Sequence, residues 1–460
     1  MHDGHVHNLR GAARSPTKVG FVNAIVAAAD TIVVIGAVAA RRHALRSAQI
    51  GKWRGAQIGK WPGAQIRVLR WKHFIKSESD RFAELTKRFT DSTGIKVRLD
   101  AESWEDIRPK AAVAANVGAG PDIIIGTNDD PHKFPDKLVR LNDLADYLGS
   151  KYGGWYDVCR QYGMHGNDWI ALPQGVGGSC INYRISALHK AGFDAIPTDF
   201  DGFLKLCQRL KANGTPPGFA LGHATGDANN WTHWCLWSHG GKVVDSNSKV
   251  VLDSPETVAA LEYAKLLADT FVPGTLSWQD PNNNKAFLSG DISLTGNGIS
   301  IYTVAKSSND QALLEIAKDM DHAQYPIGPI GRPTEQNLML TAFVFKYSKY
   351  PNAAKEYLRY MWDEEQYASW ETASNGYISQ PLQAYRQNPI WTADPKNTPF
   401  RDVASRSLVN GYAGPLGYAS AAVMGDFIVV DMFAEVCSGN GAPKSAAARA
   451  ADRAKRYYEI

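Results

Sequence analysis

From Ile66 onward the apolar positions switch between two spacings. Ile66 to Trp71 is a short apolar run that predicts a buried strand, and Phe82, Leu85 and Phe89 then recur at helical spacing through 81–90. Gly94 ends that helix, Ile95 to Leu99 alternates as a strand, 104–116 is helical with Ala-rich faces, and Asp122 to Ile125 reads as a second buried strand. Strands alternating with helices predict an α/β lobe built on a mainly parallel sheet with crossover helices. In such sheets ligands gather beyond the C-terminal strand ends, which here are the loops 71–80, 102–106 and 127–133.

A second block runs from about Ser179 to Ile301, with predicted helices over 203–213 and 255–269 on either side of the turn-rich stretch 242–253. The segments 338–347 and 352–362 restore the strand-then-helix order. Pro and Gly alternate at Leu172-Pro173-Gln174-Gly175 and Pro326-Ile327-Gly328-Pro329, as in connections between lobes. The pattern divides the chain into a leader over 1–65, a first lobe over 66–175, a second lobe over 176–325, and return segments over 326–460 that complete both. Within the leader, Val22 to Ala40 is mostly apolar, follows Arg10, Arg14 and Lys18, and ends in Ala37-Val38-Ala39, the outline of a secretory signal broken by Asp30 and followed by Arg41-Arg42. An eight-residue repeat follows, Ala48-Gln49-Ile50-Gly51-Lys52-Trp53 and again from Ala56 to Trp61, too short to bury a core and expected to be disordered.

Composition narrows the function. A hydrophobic share of 44% and a charged share of 21% are those of a globular chain. The net charge of +4 belongs to the leader: nine Lys/Arg and two Asp precede Ile66, leaving 41 basic and 44 acidic side chains in the body. A slightly acidic body with no basic stripe is unsuited to nucleic acid. Cys159, Cys180, Cys207, Cys235 and Cys437 are too widely spaced for a zinc knuckle and odd in number, which predicts buried thiols and leaves room for one disulfide. No GxSxG elbow, HExxH helix or GxxxxGK[ST] loop occurs, and Gly118-Ala119-Gly120 precedes a strand, the reverse of the dinucleotide-binding order.

Several landmarks occur together and in sequence: the opening strand ending in Trp71; Asn116 to Ile125 with its Gly-Pro-Asp-apolar strand; Leu172-Pro173 followed by Asn182-Tyr183-Arg184; Gly240 to Asp245 with Ser254-Pro255-Glu256; and Ala286 to Gly290 followed by Gly296-Asn297-Gly298. Over Ile66 to the C-terminus this series resembles the extracellular solute-binding proteins of bacterial ABC importers, in the large carbohydrate-binding group. The resemblance implies a two-lobed periplasmic-binding-protein fold with hinge strands and a cleft. It implies a monomer without cofactor, metal or catalytic residue, which captures a sugar or polyol in the periplasm and passes it to the importer's membrane permease.

A sugar offers an apolar ring face and a rim of hydroxyls, so its site needs aromatic platforms beside planar polar groups. Trp71 and Trp104 with Glu102 suit that work in the first lobe, although a Trp at a helix start also caps cores. Asn128, Asp129 and Asp130 fall in the loop after a strand, where carboxylates accept hydroxyl hydrogen bonds or cap the next turn. In the second lobe Trp231 is the candidate platform, with Trp234 and Trp237 assigned to the core. Trp278, Asn297 between two glycines, and Asn375 complete the set. Two rival readings remain: a glycoside hydrolase pairing Glu102 with Asp129 or Asp130, and a non-catalytic protein-interaction module.

Overall fold

The computed structural model of the chain describes Trp61 and residues 63–459. The signal-like stretch and most of the eight-residue repeat lie outside these residues.

β1 (Gln65–Trp71), β2 (Lys96–Glu102) and β3 (Ile123–Thr127) run parallel. β1 leads into the helix Lys76–Thr93, which turns Phe82, Leu85 and Phe89 onto the sheet and is closed by Gly94 in the left-handed region at φ 73°. β2 leads into the helix Trp104–Val117, anchored by Ile107, Ala111 and Ala114 on the opposite face. A small hairpin, β4 (Met164–His165) with β5 (Asp168–Trp169), precedes β6 (Leu172–Gly177). Beyond it come β7 (Cys180–Arg184), β8 (Leu294–Asn297), β9 (Met320–Ala323) and β10 (Leu338–Val344).

The first lobe is a five-stranded sheet in the order β2-β1-β3-β10-β6, and the second holds a three-stranded sheet in the order β8-β7-β9. The expectation of mainly parallel sheets holds for β1, β2 and β3 but not for β10, which is antiparallel to both neighbours, nor for the second sheet, which is antiparallel throughout. The reason is the path of the chain. β10 re-enters the first sheet from the second lobe, so it runs against the strands built there earlier.

The chain crosses between the sheets at Gly178–Ser179, a few residues after the Pro/Gly pattern, and again over 324–337 around the second pattern. A third passage, 383–412, weaves between the lobes: Tyr385 packs in the first core, Trp391 and Phe400 in the second lobe, and Val403 and Val409 in the first core again. The two crossings are tied to each other and to this passage. Ser179 N–H donates to Asn337 Oδ1 at 2.7 Å, and Asn337 Nδ2 donates to Ser407 Oγ at 2.8 Å.

The second core is rich in tryptophan. Trp231, Trp234 and Trp237 are all buried on the helix Asp227–Ser238, packed by Leu261 and by Phe433 of the helix Ile428–Cys437. The last helix, Pro443–Tyr458, presents a stripe of Ala446, Ala447, Ala450, Ala451 and Ala454 that lets it lie close. All five cysteines are free thiols, four of them buried.

Candidate functional site

The two lobes face each other across a cleft of about 520 Å³, part of it open to solvent. Its walls differ in chemistry. The first lobe supplies rings. β1 and β2 pair with Trp71 opposite Glu102, so the residues just past both strand ends are neighbours in space. Trp104 therefore stacks on Trp71, with ring centres 4.1 Å apart and planes 17° from parallel. Phe74 stands edge-on to Trp71 at 5.0 Å and is 50% exposed, a large apolar ring facing the cleft. Tyr377 completes the wall, 5.7 Å from Trp71 and 4.6 Å from His73. Burial lowers the His73 pKa to about 4, so the imidazole behind these rings is neutral near pH 7.

The second lobe supplies polar groups. The helices Asp227–Ser238, Asp280–Ser289 and Ser300–Lys306 all begin at the cleft, and β8 ends there. The Asp280 carboxylate accepts the N–H groups of Gly226 at 3.1 Å and Asp227 at 2.9 Å, donors that a helix start leaves unpaired. Asn283 Nδ2 donates to Asp227 Oδ2 at 2.8 Å and to the Gly296 carbonyl at 3.2 Å. Asn284 donates to Ser300 Oγ at 3.0 Å and accepts from Asn297 Nδ2. Burial and the neighbouring Asp280 charge push the Asp227 pKa well above the carboxylate range, against the Asn283 hydrogen bond. Gly298 sits where the walls meet: a Cβ there would lie 3.3 Å from the Gly178 carbonyl and 3.7 Å from the Tyr377 ring.

The sequence-predicted residues separate into groups. Trp104 and Asn297 line the cleft, and Trp71 is buried directly behind Trp104. Glu102 stands outside the lining and pairs with Lys110. Asn128, Asp129 and Asp130 are also outside it, because the late part of the chain covers their loop. Asn128 exchanges hydrogen bonds with the Met339 backbone at 2.6 and 2.8 Å. Asp129 accepts from Ser420 Oγ at 2.8 Å and Asn410 Nδ2 at 3.2 Å, and Asp130 accepts from Arg108 Nε at 2.6 Å. Trp231 is fully buried, its indole N–H on the Ala220 carbonyl at 2.6 Å. Trp278 packs against the second-lobe clusters, and Asn375, at φ 54°, turns the chain two residues before Tyr377. The carboxylates that do share the cleft are Asp227 and Asp280; Asp227, Phe74 and Asn284 went unread as individual side chains, whereas Asn230 lies in the segment Asn229-Asn230-Trp231, in which Trp231 was preferred. Asp280 and Tyr377 lie inside segments the sequence does single out, two residues from the side chains preferred there. Among the described residues no group of three or more His, Cys, Asp or Glu side chains could hold a metal ion.

Two α/β lobes, three chain passages and a cleft with one aromatic and one polar wall define a binding protein of the hinged, two-lobed class. The chain belongs to the family of bacterial extracellular solute-binding proteins, whose profile matches residues 84–399. Among curated relatives it is similar to the diacetylchitobiose binding protein DasA of Streptomyces coelicolor, 26% identical over 316 residues, or 66% of this chain and 70% of that protein. It also matches a "probable ABC transporter-binding protein" of Deinococcus radiodurans at 24% identity over 205 residues, spanning 43% of this chain and about half, 48%, of that relative. Among solved structures the fold matches maltose-bound MalE3 of T. maritima, with a TM-score of 0.72 at 19% identity, covering 86% of this chain and all of that one. A sugar transporter protein of Arthrobacter chlorophenolicus with bound laminaribiose matches at a TM-score of 0.72 and 18% identity, over 86% and 99% of the two chains.

Proposed function

We propose that the chain is the substrate-binding component of an ABC import system, capturing a sugar or polyol outside the cytoplasm and delivering it to a membrane permease. The observation that carries this reading is the pairing of walls. Trp104 and Phe74 offer ring faces to the C–H face of a sugar, and Asp227, Asn230, Asn284 and Asn297 stand opposite to meet its hydroxyls. Relatives described as binding diacetylchitobiose, maltose and laminaribiose agree with this class of ligand. Ligand touching both walls would favour the closed arrangement of the lobes, and the permease would read that arrangement.

The test is a thermal-shift screen of the full chain against neutral, amino and phosphorylated saccharides and polyols. At about 100-fold over its dissociation constant a ligand adds roughly 2.7 kcal/mol of stability. A rise with one saccharide, recovered chemically unchanged, supports capture. A consumed saccharide would move the reading to a hydrolase working through Asp227 and Asp280, and no rise with any of them would reject it. X-ray scattering with ligand present tests closure, where an unchanged radius of gyration at saturation would count against it.

A further inference from the structure

Much of the polar wall of the cleft is committed to itself. Asn284, Asn297 and Ser300 hydrogen-bond to one another, and Asn283 behind them holds Asp227 and the Gly296 carbonyl. Asn230 differs. It stands one turn into the helix Asp227–Ser238, lines the cleft and is 5% exposed, yet its side-chain amide makes no hydrogen bond with any described residue. Buried side-chain atoms without a partner number fourteen among the described residues, and Asn230 Oδ1 is the one that belongs to a residue lining the cleft. The neighbouring Asn229 also has an unpaired Oδ1 but lies outside the lining, with Nδ2 on the Thr225 carbonyl at 3.1 Å. A buried amide without partners lowers stability, and an apolar side chain of similar shape would not carry that cost. Packing alone therefore gives no reason for an asparagine at position 230.

We propose that Asn230 is the specificity-determining residue of the cleft and that it reads a vicinal diol: one hydroxyl of the ligand donates to Oδ1, and the oxygen on the adjacent carbon accepts from Nδ2. The proposal rests on the sugar-binding reading above and names the feature of the sugar that the same site selects. The selection follows from the amide, which sets one acceptor beside one donor in a single plane. A phosphate or carboxylate brings acceptors alone and leaves Oδ1 unpaired. An ammonium brings donors alone and leaves Nδ2 unpaired. Two gauche hydroxyls on adjacent carbons bring a donor beside an acceptor and satisfy both atoms. Trp104 and Phe74 on the facing wall take the C–H face of the ring, which leaves its hydroxyl-bearing edge for the amide. An analogue that lacks either oxygen returns one atom of the buried amide to its unpaired state, and a site of this kind discriminates strongly against such analogues.

The experiment pairs ligand-free stability with ligand discrimination on the full chain. Asn230→Leu, with Asn230→Ala as a second variant, removes an amide that bonds to no described residue, so the ligand-free Tm should equal that of wild type or exceed it by up to about 4 °C. Asn283→Ala, which removes an amide bonded to Asp227 and Gly296, should melt lower and shows what a structural asparagine does here. Binding is read by isothermal titration calorimetry with glucose, maltose, laminaribiose, cellobiose and ribitol, and then with the single-deoxy derivatives of the member that binds most tightly. Wild type is expected to lose about ten-fold or more in affinity on deletion of either of two adjacent oxygens. The Asn230 variants should bind the parent about ten-fold or more weakly than wild type does, and should bind the parent and those two deoxy forms within about two-fold of one another. Both Asn230 variants melting several degrees below wild type would make the residue structural and overturn the inference. So would discrimination that the variants keep, or wild-type losses absent or confined to oxygens that are not neighbours. Each of these results leaves sugar capture standing. No binding by any member of the panel would overturn both.

Discussion

Trp104 and Trp231 have similar sequence credentials, each beside polar residues at a helix start, yet the structure gives them opposite expected behaviour. Trp231 is 0% exposed, packs against Phe219, Phe271 and Phe433 at ring separations of 5.8 to 5.9 Å, and donates to the Ala220 carbonyl. Trp231→Ala removes the contacts of a large buried ring, a loss of about 3–5 kcal/mol, and orphans a buried carbonyl for about 1 kcal/mol more. For a lobe of this size the expected fall in Tm is of the order of 10 °C. Trp104→Ala loses a stack with Trp71 worth about 0.5–1.5 kcal/mol and the packing of a half-buried ring on the edge of the first core, less than a fully buried ring gives. Its Tm should fall by only a few degrees, while affinity for the captured saccharide drops about ten-fold or more with the platform gone. Differential scanning calorimetry with and without ligand reads both quantities on one sample. A Trp231→Ala protein that melts with the wild type, or a Trp104→Ala protein that melts far lower yet keeps its full ligand shift, would refute the assignment of one ring to the core and the other to the cleft.

Three further outcomes follow from buried groups. Glu78 is 0% exposed and accepts from Arg70 and from Trp370 Nε1 at 2.6 Å, so Glu78→Ala leaves a buried guanidinium without its partner and should cost about 3–5 kcal/mol by urea denaturation. Burial raises the Glu335 pKa from 4.5 to about 7 against the pull of Arg406. The folded chain then holds this proton more tightly than the unfolded one, so the contribution is complete below pH 4.5 and is lost as pH rises through about 7, of the order of 2–3 kcal/mol; Glu335→Gln should flatten that part of the stability–pH curve, and an unchanged curve would discard the assignment. A Cβ on Gly296 would lie 2.2 Å from the Tyr325 hydroxyl, so Gly296→Ala should destabilise the second lobe by about 1–3 kcal/mol, with a Tm equal to wild type as the contrary result.

The parallel part of the first lobe was legible because its signals are local: Ile66, Val68, Leu69 and Trp71 within six residues, then Phe82, Leu85 and Phe89 at helical spacing, then Gly94 at φ 73°. The cleft was legible only by segment, for reasons that differ from residue to residue. The helix Asp227–Ser238 is buried at every position from Ala228 to Ser238, so it carries no amphipathic period that could assign Asn230 to the cleft and Trp231 to the core. Asp227 and Asp280 stand in the first turns of helices, where a carboxylate is favoured by the helix dipole whatever the site does, and so an acid that meets ligand reads as a cap. Asn128-Asp129-Asp130 has the composition of an open loop. It is buried because Ser420 and Asn410 reach it from nearly 300 residues away, a contact no local pattern encodes.

The same long-range contacts bear on how the cleft can move. Gly177 and Gly178 lie both in the cleft lining and at the first crossing, and the bonds from Ser179 to Asn337 and from Asn337 to Ser407 lace that crossing to the other two passages. Nearby, Asp129 of the first lobe is held by Asn410 and Ser420, and the latter stands on the helix Tyr418–Gly425, which packs with the C-terminal helix of the second lobe. Directional bonds among buried polar groups fix an orientation more tightly than apolar packing does, because a shift leaves donors and acceptors unpaired. If the lobes close on ligand as proposed, the side bearing the passages is the expected pivot, and the movement falls to the open side, where Trp104 and Phe74 face Asp227 and Asn284. Rings on one side and acids and amides on the other have little attraction for each other without a molecule that satisfies both. A ligand with an apolar face and a donor-rich rim supplies both sets of contacts at once, and so couples occupancy of the cleft to the distance between the lobes.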